Sequence, residues 1–323
     1  MIHRRSVLTL TSLALLGSNA PAWTQTIKRI IIGLPPGGAT DAIARQVGSN
    51  MRLPDGASVI VENRPGAGGR IGVVAVKNSP PDGATLLISP SSVLTIFPHV
   101  YANVGYDPVR DLQPITSLCE VPYSITVGPM VPESVRTLKD FASWARSNKD
   151  KSFFGCPGEG TTPHFVGWMF GKAAGFDFRQ VAYKGGGPAV LDVIGGQIAS
   201  TINVVSEVLQ HAKAGKVRVL AVSSAQRLPQ LPDVQTMQEA GFPTLEAAEW
   251  FGLFAPAGTP ASAVAQLHRS VVEAMAKSEV RRFLADACLF PKTTSPEELA
   301  ALLRKDLDHW GPVAKSTGFR IEE

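Results

Sequence analysis

Residues 30–41, Ile-Ile-Ile-Gly-Leu-Pro-Pro-Gly-Gly-Ala-Thr-Asp, constrain this chain more than any other stretch. Ile30, Ile31 and Ile32 read as an apolar strand. Beyond the loop, Ile43, Val47 and Met51 put one apolar stripe on a helix over residues 41–51, the pattern of a helix laid on a sheet. Between them, Gly37 and Gly38 let backbone N–H groups approach a guest closely, Thr40 or Asp41 caps the helix, and a helix N-terminus favours negative charge. The loop therefore reads either as a seat for a small anion or as an ordinary strand-to-helix turn, because Pro, Gly and Thr suit both.

The unit recurs. Residues 58–62 form a second strand that enters the glycine-rich turn at 63–69 and a helix at 71–77. A third strand, residues 84–89, delivers Ser89, Ser91 and Ser92 to its carboxyl end. This βαβαβ alternation predicts a doubly wound parallel sheet with ligand groups gathered outside the strands' carboxyl ends. Gly66-Ala67-Gly68-Gly69 approaches a dinucleotide fingerprint but misses it: the third glycine would fall on Ile71, and Pro65 interrupts the strand-to-helix passage.

Thr137-Leu138-Lys139-Asp140 is a capping box opening a helix. A second αβ set follows, with strands at 152–154, 179–183, 198–202 and 217–222 and helices at 163–174 and 189–194. A strand at 249–255 and helices at 261–275, 278–287 and 295–315 then bring the chain back. The expected organisation is a discontinuous first domain, residues 23–125 with 248–323, and a second domain, residues 126–247. Two crossings between them make a hinge, with a ligand cleft between the domains.

Length and charge agree with this plan. A basic head with Arg4 and Arg5 precedes an apolar run from Ser6 to Gly17 and small residues ending Ala20-Pro21-Ala22, which reads as a cleavable secretory signal over residues 1–22. The twin arginines hint at export of a prefolded protein to the periplasm. The formal charge of +4 falls to +2 when Arg4 and Arg5 leave with that segment, since no acid leaves with them. There is no basic block or aromatic-interleaved patch for nucleic acid, and no later apolar run long enough for direct membrane insertion. Cys119, Cys156 and Cys288 are an odd set that reads as buried thiols. The six histidines show no metal-ligand spacing, and no cofactor is indicated.

Six ordered stretches carry a family resemblance. Residues 35–41, 62–72, 81–87, 183–189, 215–222 and 231–236, within a match over about residues 30–258, resemble the Bug-type substrate-binding proteins of tripartite tricarboxylate transporters. The resemblance implies a type II periplasmic binding protein fold: two doubly wound α/β domains on a two-stranded hinge, closing over a small carboxylate. It also implies no catalysis, membrane permease subunits as partners, and a monomer.

Carried over residue by residue, the ligand groups are Pro36, Gly37, Gly38, Thr40 and Asp41 in the first domain and Gly158, Gly160, Thr161, Thr162 and His164 in the second. Ser89, Ser91, Lys184 and Asn203 are further candidates. With Thr162 as N-cap and Pro163 at the first helical position, residues 158–165 also read unaided as a second anion seat. Three residues depart from the family pattern: Cys156 replaces a common Ser, Glu159 a neutral residue and Asn203 a frequent acid. Glu159 either points to solvent or meets a cationic ligand group. Two other functions stay open from the residues themselves. One is a periplasmic hydrolase using Cys156 and His164; the other is a sensor subunit that presents ligand to a signalling partner.

Overall fold

The computed structural model describes residues 27–322; the expected export signal, residues 1–22, lies outside the described residues. The chain opens with β1 (Ile27–Ile32), α1 (Ala39–Asn50), β2 (Ser58–Asn63), α2 (Arg70–Lys77) and β3 (Thr85–Pro90). Short helices α3 (Ser91–Thr95) and α4 (Phe97–Val100) lead into β4 (Leu112–Val127). Next come α5 (Leu138–Ser147), β5 (Phe153–Cys156), α6 (Thr162–Ala174), β6 (Arg179–Ala182), α7 (Gly186–Ile194), β7 (Ser200–Val204), α8 (Val205–Lys213), β8 (Arg218–Val222) and β9 (Gln235–Thr236). The chain ends with β10 (Ala248–Pro256), α9 (Ala261–Ala276), α10 (Ser278–Asp286), β11 (Phe290–Pro291) and α11 (Pro296–Thr317).

The strands join in one continuous curled sheet ordered β2-β1-β3-β10-β4-β7-β5-β6. In the first lobe β1 pairs in parallel with β2 and β3, while β10 runs antiparallel between β3 and β4. The second lobe repeats the plan: β5 is parallel to β6 and β7, and the far end of β4 lies antiparallel between β7 and β8. Each lobe is thus a βαβαβ unit with one inserted antiparallel strand. β4, sixteen residues long, belongs to both. β10 brings the chain back along β4, with irregular register at Phe251/Gly252 and Leu253/Phe254. These two adjacent strands form the link between lobes that a type II arrangement requires.

Burial explains why the isoleucine run becomes the central strand. Ile30 and Ile32 pack with Leu86, Ile88 and Val47 on one face of the sheet, while Ile31 and Leu87 pack with Val73, Phe97 and Phe254 on the other. Side chains alternate across a strand, so an uninterrupted apolar run needs cover on both faces. In the second lobe, Phe141, Phe154, Phe170 and Phe178 build an aromatic core around Ile125 and Val127. The capping box at Thr137 forms as expected: Asp140 N–H donates to Thr137 Oγ1 at 3.1 Å and Thr137 N–H to Asp140 Oδ2 at 3.0 Å.

Three helix starts differ from the sequence reading. α1 begins at Ala39 with Gly38 as an N-cap that supplies no side chain, so neither Thr40 nor Asp41 caps it. α6 has Thr161 rather than Thr162 at its N-cap. α7 begins at Gly186, three residues earlier than expected, because packing against the next strand and helix overrides the poor helix propensity of Gly186-Gly187-Pro188.

Candidate functional site

The carboxyl ends of β1, β3, β5, β6 and β7 converge on a cavity of about 330 Å³ between the lobes, a size suited to a small organic solute. From the first lobe its wall takes Leu34, Pro35, Pro36, Gly37, Gly38, Ala39 and Thr40, with Pro90, Ser92 and Val93 after β3. The second lobe adds Thr161 and Pro163, the segment Lys184–Pro188, and Asn203 and Glu207. Tyr123 of β4 and Glu249 and Phe251 of β10 line it from the strands that link the lobes. The first turns of α1 and α7 both reach the wall, and first-turn N–H groups have no acceptor within their own helix.

Of the residues singled out from sequence, Pro36, Gly37, Gly38, Thr40, Thr161, Lys184 and Asn203 line the cavity, and Asp41, Ser89, Ser91, Gly158, Gly160, Thr162 and His164 stand off its wall. Asp41 holds the loop in shape instead. Its carboxylate accepts the Gly37 N–H at 3.0 Å and Asn63 Nδ2 at 3.0 Å, and pairs with Arg45 at 2.9 Å. Burial opposes the charge, but Arg45, the Gly37 N–H and Asn63 outweigh it and hold the pKa below the usual carboxylate value. Asn63 Nδ2 also reaches Leu34 O at 3.1 Å, which ties β2 to the same loop. Ser89 Oγ donates to Pro90 O at 3.0 Å.

The turn before α6 closes on itself. Thr161 Oγ1 donates to Gly158 O at 2.8 Å, and the Gly160 N–H donates to His164 Nδ1 at 3.1 Å. His164 is 8 % exposed and lies edge-on to Phe319, and burial pushes its pKa down to about 4. Cys156 Sγ donates to Gly158 O at 3.3 Å and to Gln180 Oε1 at 3.2 Å, and burial pushes its thiol up to about 12. A nucleophile needs the thiolate and a base aimed at it; here His164 and Cys156 each face partners other than the other. Glu159 lies off the cavity, where it accepts from Gln180 Nε2 at 3.3 Å.

His164 carries a pH prediction. Its folded pKa lies below its ordinary value of 6.5, so the unfolded chain binds more protons between the two values. Stability is full above about pH 6.5 and is lost as pH falls toward 4. Between pH 7 and 4.5 this single group is expected to remove about 2 kcal/mol. Urea melts at the two pH values check it: His164→Gln, which keeps an acceptor for Gly160 without titrating, reduces the difference, and an unchanged difference counts against the assignment.

The residues missed from sequence are two carboxylates and a tyrosine. Glu249 is 4 % exposed, and burial pushes its carboxyl up against the pull of its donors. It accepts Ser91 Oγ and the Ser92 N–H (2.9 Å) on one oxygen and Tyr123 OH (2.5 Å) on the other. Glu207 reaches across the cleft so that its Oε1 accepts the Ala39 N–H at 3.1 Å, at the very start of α1. Burial pushes Glu207 up as well, opposed by the Ala39 N–H and the nearby Asn203 amide. Lys184 is the one cationic side chain on the cavity wall among the described residues.

This architecture has known counterparts. BugT of Bordetella pertussis is 31% identical over 296 residues, covering 91% of this chain and 90% of that protein. A solved Rhodopseudomonas palustris protein with adipate is 30% identical at a TM-score of 0.86, covering 92% of this chain and 99% of that one. MatC from the same organism, with bound malate, is 28% identical at a TM-score of 0.83, covering 89% and 98% respectively. The family profile described as the tripartite tricarboxylate transporter family receptor, TctC, matches residues 43–319. With its type II fold, its interlobe cavity and a profile match over most of its length, this chain belongs to the TctC family of periplasmic solute-binding receptors.

Proposed function

We propose that the protein is an extracytoplasmic solute receptor that holds a small organic carboxylate in the interlobe cavity and delivers it to the membrane subunits of a tripartite tricarboxylate-type permease. The observation that carries this reading is the convergence of the α1 and α7 first turns on one mostly apolar cavity. Fixed N–H dipoles attract a carboxylate without a permanent ion pair, worth up to about 2 kcal/mol in partly buried geometry, and such neutral donors also permit release. The malate and adipate carried by two relatives support the ligand class.

In this reading Pro36, Gly37, Gly38, Thr40, Thr161, Lys184 and Asn203 contact the solute, while Asp41, Ser89, Ser91, Gly158, Gly160, Thr162 and His164 shape the loops behind them. Residues 23–125 with 248–323 and residues 126–247 move as two bodies about β4 and β10, and the receptor acts as a monomer exported to the periplasm by residues 1–22.

A thermal-shift panel of mono-, di- and tricarboxylates, aromatic acids and acidic amino acids tests this. A carboxylate present at about a hundred times its dissociation constant is expected to stabilise the protein by about 2.7 kcal/mol. A panel in which no carboxylate moves the midpoint while a neutral sugar or a cation does would sink the reading.

A further inference from the structure

The cavity has one end with donors to spare and a remaining wall without them. At its mouth the starts of α1 and α7 lie on either side of one side chain: Glu207 Oε1 accepts the Ala39 N–H at 3.1 Å, and the same carboxylate stands against Gly186. The other first-turn N–H groups of the two helices have no acceptor within their own helix, and they belong to this end together with Thr40. The exposed Lys184 adds the one cation on the wall among the described residues.

Elsewhere the polar groups are engaged with one another. On the floor, Glu249 takes Ser91 Oγ, the Ser92 N–H and Tyr123 OH. The Asn203 amide bonds Glu207, and its Oδ1 accepts the Val204 N–H at 3.0 Å. Thr161 Oγ1 donates to Gly158 O. Pro35, Pro36, Pro90, Pro157, Pro163 and Pro188 all line the cavity, and a proline has no N–H to offer. Leu34, Val93, Val204 and Phe251 add further apolar surface, and Leu191, 61 % exposed on α7, carries it to the cavity edge.

A ligand with one carboxylate is therefore matched, and a ligand with two is not. The second carboxylate would lose its water against proline rings and aliphatic side chains, or lie beside the Glu207 or Glu249 carboxyl. Burying a charge without donors is costly, whereas burying a hydrocarbon body in the same place is favourable. We infer that the cleft selects monocarboxylates with an apolar body, the carboxylate seated at the α1 and α7 starts and the body against the proline-lined wall, over the dicarboxylates of the same carbon skeleton. The inference rests on the receptor reading above and narrows its ligand class.

Calorimetric titration of the purified chain with matched pairs tests this: hexanoate against adipate, octanoate against suberate, and benzoate against terephthalate. The pair that contains the tightest ligand decides, and in it the monocarboxylate is expected to bind about tenfold or more tighter than its partner. Leu191→Lys, at an exposed helix position that accommodates lysine, places a second cation at the cavity edge and is expected to narrow that gap by strengthening the dicarboxylate. A dicarboxylate that binds wild type as tightly as its monocarboxylate, or tighter, overturns the inference and leaves the carboxylate receptor standing. If no member of any pair binds, the inference falls, and the thermal-shift panel shows whether the carboxylate reading falls with it.

Discussion

Alanine at position 33 is expected to cost about 3 kcal/mol of stability and to abolish solute binding in the protein that still folds. Gly33 is the residue through which β1 leaves the sheet and enters the cavity loop, and α2 passes directly over it. A Cβ on Gly33 would overlap the Gly69 carbonyl oxygen, and one on Gly72 would lie 2.6 Å from Gly33 Cα and 2.7 Å from its nitrogen. Both neighbours are backbone, so no side chain can rotate away. The strand exit or the helix must shift, and the loop carrying Pro36, Gly37 and Gly38 shifts with it. Urea denaturation measures the loss. Gly187→Ala is the control: nothing lies within 4 Å of a Cβ there, and alanine is the better residue in a helix. A Gly33→Ala variant as stable as wild type would show that the close approach of α2 to β1 is not a constraint.

Removal of the Glu249 side chain is expected to cost about 4 kcal/mol, because Glu249→Ala strands three donors at once: Ser91 Oγ, the Ser92 N–H and Tyr123 OH. These groups lie where β10, β4 and the end of β3 meet, so the loss also loosens the link between the lobes. Glu249→Gln separates charge from hydrogen bonding. Its carbonyl oxygen accepts from Ser91 and Ser92, its NH2 faces a hydroxyl that can accept, and the variant is expected to stay within about 1 kcal/mol of wild type.

The two variants also differ with pH. Burial holds the Glu249 pKa above 4.5, so the stability linked to its proton is full below that value and is lost as pH rises through the raised folded pKa. Glu249→Gln removes this contribution, and its stability relative to wild type is expected to rise with pH. Equal pH profiles for the two proteins would contradict a raised pKa, and an alanine variant as stable as the glutamine variant would contradict the bonded cluster.

Legibility from sequence followed locality. The β1–α1 loop was readable because its strand, glycines and apolar stripe are contiguous, and residues 36–40 do line the cavity. The role of Asp41 was harder: an acid in the first turn looks like a cap or a ligand group, and only the approach of Asn63 from β2 makes it a lock on the loop. The α6 start, residues 158–165, carried the same outward signals as α1, yet Gly160 and His164 bond each other and Thr161 bonds Gly158, which leaves the turn satisfied from within. The start of α7 carried opposite signals: Gly186-Gly187-Pro188 has poor helix propensity, and only the packing of Asn203 and Glu207 over Gly186 shows why that position is a glycine. Glu207, Tyr123 and Glu249 had no signal around them in the chain. Their partners are far away in sequence, 168 residues for Glu207 to Ala39 and 126 for Tyr123 to Glu249.

By itself, then, the sequence determined the βαβ alternation, the glycine loops and the family resemblance, because periodicity, turn chemistry and ordered motifs are properties of neighbouring residues. Only the tertiary structure decided which helix starts face the cavity and which acids stand in it. Those are properties of strands from both lobes brought side by side by β4 and β10, and burial and hydrogen bonds between distant residues exist only once that pairing has been made.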